Sequence, residues 1–221
     1  MKLYTYFRSS AAYRVRIALA LKQLPYEAVP VHLLKDGGQQ LQADYKRLNP
    51  LGLLPTLLND ENQALTQSLA IIEYLEEVYP ERPLLPALAH DKALVRAFAQ
   101  TIACDIHPLN NLRVLKYLST ELQLTDEQRN TWYAHWLHQG FAALEKLLNN
   151  QNTKHEFCFS NAPGLAECCL IPQIYNARRF NIGLDPYPNI QRITAACEAL
   201  PAFQHAAPEQ QHDYEAPSVK P

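Results

Sequence analysis

Two adjacent serines, Ser9 and Ser10, stand where an apolar, aromatic stretch (Leu3 to Phe7) gives way to an alanine-rich one (Ala11 to Lys22). The first reads as a short strand. The second places Val15, Ala18, Leu19 and Lys22 at helical spacing and reads as a helix. A serine at a helix start can cap it, accepting from one of the free backbone N–H groups. The same place also suits an anion, because those N–H groups and the positive end of the helix dipole face it. Arg8 precedes the serines, and Arg14 and Arg16 follow. These last two are expected not to share the apolar face, with one or both solvated. A thiol delivered here would ionise more readily than its free pKa of about 8.5 allows. A depression of about two units needs roughly 2.7 kcal/mol, within reach of oriented N–H groups and one hydroxyl donor.

Two further stretches have the chemistry to hold a peptide-like ligand. Leu53-Leu54-Pro55-Thr56-Leu57-Leu58 is a short strand approached through a proline. If the Leu54–Pro55 bond is cis, Leu54 turns its N–H and C=O outward, ready to pair with an extended peptide. Gln67-Ser68 opens a helix, Leu69 to Val78, with Ile71, Ile72 and Leu75 as its apolar stripe. Its amide and hydroxyl either cap the helix or bind the amino-acid end of a ligand.

The elements that must position these residues follow from the pattern. Tyr26 to Leu33 reads as a strand, and Pro30 suits it to a sheet edge. A loop from Lys35 to Gln40 leads to a helix from Gln40 to Arg47, which Asn49-Pro50-Leu51-Gly52 ends. A polar turn at residues 59–62 precedes a strand at residues 64–66. Strand-helix-strand followed by proline-strand-strand-helix outlines a thioredoxin-like α/β domain over residues 1–79. Pro80, Pro83 and Pro86 stiffen a linker at residues 80–89. Residues 90–207 read as an all-helical domain: a helix from Asp91 to Asp105, a break at Pro108, and renewed helix from Asn110 to Leu118. The Thr125–Gln128 capping box starts a helix running to Asn149, a helix through Ala177 has Gly164 and Glu167 at its start, and another spans Asn189 to Leu200. Residues 208–221 read as a loose tail.

Composition narrows the partners. A formal charge of -2 and a pI near 6.4, without basic runs, give no reason to expect nucleic acid or an anionic membrane surface. No apolar run reaches membrane-spanning length and the N-terminus lacks signal-peptide regions, so the expected location is cytoplasmic. The five cysteines, odd in number and with no C-x-x-C pair, read as reduced buried thiols, and no metal site is expected.

Taken together, Ser9 to Leu19, Leu54-Pro55-Thr56, Gln67 to Leu75, Asp105 to Asn111 and Asn176 to Phe180 resemble the zeta class of glutathione transferases over nearly the whole chain. The resemblance implies glutathione as cofactor, with Ser9 donating to its sulfur and Ser10 assisting. It also implies Leu54 pairing with the cysteinyl backbone, Gln67 and Ser68 holding the γ-glutamyl group, and Gln40 meeting the glycine end. His107, Asn111 and Arg113 match positions bordering the site. Arg8 and Arg179, with Arg178 as the neighbouring alternative to the latter, would bind the substrate. The implied activity is cis–trans isomerisation of a dicarboxylate diketo acid by a homodimer, either maleylacetoacetate to fumarylacetoacetate or maleylpyruvate to fumarylpyruvate. Thiolate addition removes the double bond, rotation follows, and elimination restores the alkene. The alternatives are conjugation or dehalogenation of small α-halo acids at the same site, and a non-catalytic interaction protein of the same fold. The family usually places Cys after the two serines. This chain has Ala11, which leaves no protein thiol for chemistry there.

Overall fold

The structure is a computed structural model that describes residues 1–151 and 155–216. Four strands form one mixed sheet in the order β2-β1-β3-β4, with β1 at Lys2–Thr5, β2 at Glu27–Pro30, β3 at Thr56–Leu58 and β4 at Ala64–Thr66. β1 runs parallel to β2, with Thr5 opposite Pro30, and antiparallel to β3, with Leu3 opposite Leu57. β3 and β4 form an antiparallel pair. Pro30 therefore sits on the edge strand, where its missing N–H breaks no ladder. The helix α1 (Ser10–Lys22) makes the parallel crossover from β1 to β2 and packs against α3 (Ser68–Val78), burying Val15, Ile17, Ala18 and Leu19 with Ile71, Ile72 and Leu75. This is the expected thioredoxin-like arrangement, with shorter strands.

Between β2 and β3 the chain differs from expectation. Two 3-10 turns, Lys35–Gly37 and Gln39–Leu41, precede a short helix α2 (Ala43–Leu48), so the helix starts three residues later than Gln40. Gly38 accounts for the delay. Its φ of +105° is open to glycine, and a Cβ there would stand 2.7 Å from the Gln40 side-chain nitrogen.

Both arginines of α1 are buried, which corrects the expectation of solvation. Arg14 is 2 % exposed and Arg16 is fully enclosed. Arg16 donates to the carbonyls of Tyr6 (3.3 Å) and Phe7 (2.9 Å), to Thr5 Oγ1 (3.1 Å) and to the Ala206 carbonyl (3.0 Å). It has no need of the apolar stripe's chemistry, because the backbone supplies a polar socket. Lys22, also buried, ties the far end of α1 to Glu76 (2.6 Å) and to the carbonyls of Tyr79 and Arg82 (2.9 Å each).

The chain divides into two compact units, Met1–Leu84 with the chain from Glu198 onward, and Leu85–Cys197. The second domain thus ends earlier than residue 207, because α9 (Pro201–Ala206) packs on α1. The tail is also corrected. Instead of lying loose, Asp213 accepts a hydrogen bond from the Phe7 N–H (2.9 Å), the Tyr214 ring meets Phe7 edge-on, and Glu215 pairs with Lys35. Residues 217–221, the rest of that expected tail, lie outside the described residues.

The second unit is helical: α4 (Ala89–Gln100), α5 (Leu112–Thr120), α6 (Asp126–Asn149), α7 (Leu165–Arg179) and α8 (Pro188–Glu198). The Thr125 capping box is present, with Thr125 N–H donating to Gln128 Oε1 and Gln128 N–H to Thr125 Oγ1. At α7 a glycine cap has no side chain to offer. Buried Glu167 instead accepts from the N–H groups of Gly164 (2.6 Å) and Cys158 (2.7 Å). Burial nonetheless leaves its carboxyl above the usual range, against the lowering by those hydrogen bonds.

The rod after α4 gives way before Pro108. Residues Thr101–Ile106 form a π-helical run, closed by His107 N–H to the Ile102 carbonyl (2.9 Å), and a 3-10 turn, Pro108–Asn110, follows. A π-helical run widens the rod and marks functional positions more often than chance. Space for it comes from α6, where a Cβ on Gly140 would stand 2.2 Å from Ile106 Cδ1.

Replacing Arg16 by Met leaves this socket of carbonyls dry and unpaired. We expect the unfolding free energy in urea to fall by at least about 3 kcal/mol, since each stranded buried acceptor costs about 1–3 kcal/mol. Gly140→Ala overpacks the second unit against Ile106, and chemical denaturation should register a loss of about 1–3 kcal/mol. An unchanged midpoint in either variant contradicts the packing described.

Candidate functional site

The first unit carries Arg8, Ser9, Ser10, Gln40, Leu54, Gln67 and Ser68. Ser9 is the N-cap of α1, with φ -73° and ψ 113°, and its Oγ accepts from Ala12 N–H (3.3 Å). Its own N–H donates to the Tyr6 carbonyl (2.9 Å), and its carbonyl accepts from Tyr13 N–H (2.8 Å), so the residue is fixed on both sides. Capping and anion binding are compatible here. The cap uses a lone pair of the hydroxyl and leaves its proton to donate. Ser10 opens the helix and is buried.

Ser68 follows a different rule. It does not cap α3; its Oγ accepts from buried Arg14 Nη1 (3.2 Å), which links the start of α3 to the start of α1. Gln67, just before it, is exposed and has φ +68° and ψ 116°, and its side chain makes no cap bond. A positive φ in a non-glycine residue is costly and concentrates at ligand sites.

The Leu54–Pro55 peptide is cis. Tyr45 and Asn49 set the approach to it, both donating to the Leu53 carbonyl (2.6 and 2.7 Å), while the Tyr45 hydroxyl also meets Thr56 Oγ1 (2.8 Å). The Leu54 side chain is buried in a cluster with Tyr6, Phe7, Val31 and Tyr45, and its backbone groups pair with no other described residue. Gln40 is buried, donates weakly to the Leu33 carbonyl (3.5 Å), and its Oε1 has no partner among the described residues. A buried amide oxygen left open, an unpaired strand edge at Leu54 and a strained Gln67 fit a peptide ligand such as glutathione.

Arg8 lies half-buried beside the serines, its guanidinium 5.7 Å from the Phe7 ring centroid and 5.9 Å from that of Tyr6. Tyr6 packs inside the Phe7 and Leu54 cluster.

The second unit carries His107, Asn111, Arg113 and Arg179. Asn111 is the N-cap of α5, accepting from the N–H groups of Arg113 (2.9 Å) and Val114 (3.4 Å). His107 ends the π-helical run half-buried, and the Arg113 side chain is exposed. Arg179 and Arg178 both end α7 exposed, where cations complement the helix dipole. Arg179 lies 4.9 Å over the Phe180 ring, which stacks on Tyr133 at 3.8 Å. Burial pushes the Tyr133 hydroxyl up to about 12, against the opposing pull of Arg179 and Gln173.

Four supporting residues escaped the sequence reading. Arg14 holds Ser68, the Tyr45–Asn49 pair fixes the Leu53 carbonyl, and Asp213 binds Phe7 from 206 positions away. The only local signal was for Tyr45 and Asn49, which lie within eight residues of Leu53. No described group of His, Cys, Asp or Glu is arranged to hold a metal ion, and no described helix is long and apolar enough to cross a membrane.

Known proteins are similar to this chain. Residues 8–78 match the family model for the glutathione S-transferase N-terminal domain. The "Probable maleylacetoacetate isomerase" of Vibrio cholerae is 52% identical, with 96% of this chain and 97% of that protein aligned. A holo structure of a maleylpyruvate isomerase, described as a bacterial glutathione S-transferase of the zeta class, superposes with a TM-score of 0.94 at 46% identity, covering 97% of this chain and 100% of that one. The maleylacetoacetate isomerase of Anaeromyxobacter dehalogenans, solved with dicarboxyethyl glutathione and citrate in its active site, superposes with a TM-score of 0.86 at 37% identity, covering 100% of this chain and 96% of that one. The chain belongs to the zeta class of the glutathione transferases.

Proposed function

We propose that this protein is a glutathione-dependent cis–trans isomerase of maleyl diketo acids, acting on maleylacetoacetate or maleylpyruvate. The observation that carries the reading is the Ser9 hydroxyl, which caps α1 with its lone pair and keeps its proton for an anion at the helix mouth. Similarity to enzymes of both names supports the substrate class without dividing its two members. Bound at this site, glutathione supplies the thiolate whose reversible addition lets the substrate double bond rotate.

The chain's own groups prepare that step. Ser9 donates to the sulfur while the first N–H groups of α1 add their partial charge, favouring the thiolate over the thiol. Leu54 pairs with the cysteinyl backbone, Gln67 and Ser68 receive the γ-glutamyl end, and Gln40 offers its open amide to the glycine end. Arg14, behind Ser68, keeps that hydroxyl oriented. The substrate carries a carboxylate at each end and develops enolate charge between them, so fixed cations are required. By the family resemblance Arg8 and Arg179 are the proposed partners of that charge, and His107, Asn111 and Arg113 are proposed to take part in binding glutathione.

The protein's own thiols are unsuited to the role. Cys158, Cys168, Cys169 and Cys197 are buried and only Cys104 is exposed. Burial raises the Cys158 and Cys168 thiols well above the usual range, so the neutral form persists at neutral pH. Position 11, after the serines, is alanine. The reading extends to a cytoplasmic homodimer, supported by five cysteines that form no disulfide and by exposed apolar side chains such as Leu51, Leu88 and Leu94.

In Ser9→Ala, ultraviolet titration of bound glutathione should show its thiol pKa rising back toward the free value near ~8.5, and kcat should fall about 10²-fold, as for other lost anion donors. A wild-type complex whose glutathione ionises no more readily than in buffer would falsify the proposal. Reaction of the native protein with a chromogenic disulfide should release one thiol equivalent, and the denatured chain all five. A second fast equivalent in the native state would mean that a thiol assigned to the core is accessible.

A further inference from the structure

The peptide that leads into Arg8 and Ser9 is held from two directions. The Phe7 carbonyl accepts from Arg16, and its N–H donates to Asp213 Oδ2 at 2.9 Å. The Phe7 ring meets Tyr214 edge-on with centroids 5.5 Å apart. Tyr214 joins the cluster of Tyr6, Phe7, Val31, Tyr45 and Leu54, which contains both Phe7 and the residue before cis-Pro55. One segment near the end of the chain therefore touches the supports of two site stretches that lie far apart in sequence.

Its outer end is fixed separately. Glu215 pairs with Lys35 and approaches His32 Nε2 at 3.4 Å. His32 Nδ1 accepts from the N–H groups of Leu34 (3.1 Å) and Lys35 (2.9 Å), which leaves the ring proton on Nε2, facing Glu215 and the Tyr6 hydroxyl. The Lys35 hydrogen bond holds the Glu215 carboxyl below the usual carboxylate range. Before it, the Ala206 carbonyl is held by Arg16 and the Gln211 side chain donates to the His205 and Ala207 carbonyls. The segment is thus tethered at both ends with Asp213 and Tyr214 between.

We propose that residues 212–216 form a positioning strap for the loop that bears Arg8 and Ser9. Asp213 and Tyr214 fix the Phe7 peptide, and through it the start of α1, without touching either ligand. A carboxylate on a backbone N–H is a stronger and more directional tie than a neutral acceptor. Two residues downstream, a displacement of the Ser9 hydroxyl by less than 1 Å lengthens a donor bond whose worth depends on distance. The inference rests on the proposed role of Ser9 and Arg8.

The test compares Asp213→Ala, Asp213→Asn and a chain ending at Gln211. Amide hydrogen exchange at Phe7, which needs no substrate, should accelerate at least tenfold in Asp213→Ala and in the shortened chain. It should return most of the way in Asp213→Asn, whose side-chain oxygen still accepts. In parallel the pKa of bound glutathione should rise and kcat/KM for maleylpyruvate should fall about tenfold, a fraction of the ~10²-fold that a 1 Å misplacement can cost. Should the shortened chain not fold, Tyr214→Ala and Glu215→Ala loosen the strap singly and should give smaller changes in the same sense. Faster exchange with unchanged thiol pKa and kcat/KM overturns the positioning role and leaves the Ser9 reading standing. Unchanged exchange overturns the strap itself. A wild-type protein that binds glutathione without lowering its pKa defeats the Ser9 reading, whatever the exchange at Phe7.

Discussion

A single enclosed guanidinium sets the position of the start of α1. Arg16 sits at the second turn of the helix yet reaches back to the carbonyls of Tyr6 and Phe7, the peptides that deliver the chain from β1 to Ser9. A fully buried cation is tolerated only when its donors are matched, and here three backbone carbonyls and the Thr5 hydroxyl accept from it. Because the acceptors are main-chain groups, the constraint falls on backbone position. The turn from β1 into α1 cannot shift without emptying the socket, and the serines move only with that turn.

Arg14 extends the same logic to the other end of the ligand. One helical turn separates it from the helix start, and its bond to Ser68 connects α1 to the strained Gln67–Ser68 step. The two arginines therefore brace the two places where hydroxyls meet a proposed anion: Ser9 for sulfur and Ser68 for the γ-glutamyl end. Neither arginine has to face the ligand to matter. Low local dielectric around them raises the worth of every hydrogen bond they make, and the same dryness makes their removal costly.

Much of this was legible from local pattern. The succession of strands and helices in the first domain, the edge position of Pro30, the capping box at Thr125 and the helix start at Ser9 each follow from spacing over a few residues, and the structure has them where the pattern puts them. The failures share a cause. Arg14 and Arg16 look like solvated charges because periodicity weighs a residue by type, whereas their burial depends on carbonyls and a hydroxyl supplied by other elements. The π-helical run before Pro108 needs the absence of a side chain at Gly140 on another helix, which no window around residue 104 contains. Residues 208–216 are polar and proline-spaced, the composition of a loose end. Their docking depends on one carboxylate finding one amide across the fold.

The cap of α7 shows how a pattern can be altered while its physics is kept. A serine or threonine there would satisfy an N–H of the helix with its hydroxyl. Gly164 has none, and the conformation it adopts, φ -146° and ψ -147°, lies outside the helical region. Glu167, in the first turn, instead turns both oxygens on N–H groups outside the helix, one from Gly164 and one from Cys158. The arrangement trades a neutral hydroxyl for a carboxylate in a dry place, which is why that carboxyl is harder to ionise than usual. It also joins the start of α7 to the loop before it, a link that a capping hydroxyl alone does not make. The helix that ends in Arg178 and Arg179 is thus fixed at its beginning by a carboxylate, and the two guanidiniums stand exposed at its far end. A cationic clamp for a dicarboxylate, the role proposed for Arg179, asks for such a firm base beneath an exposed charge.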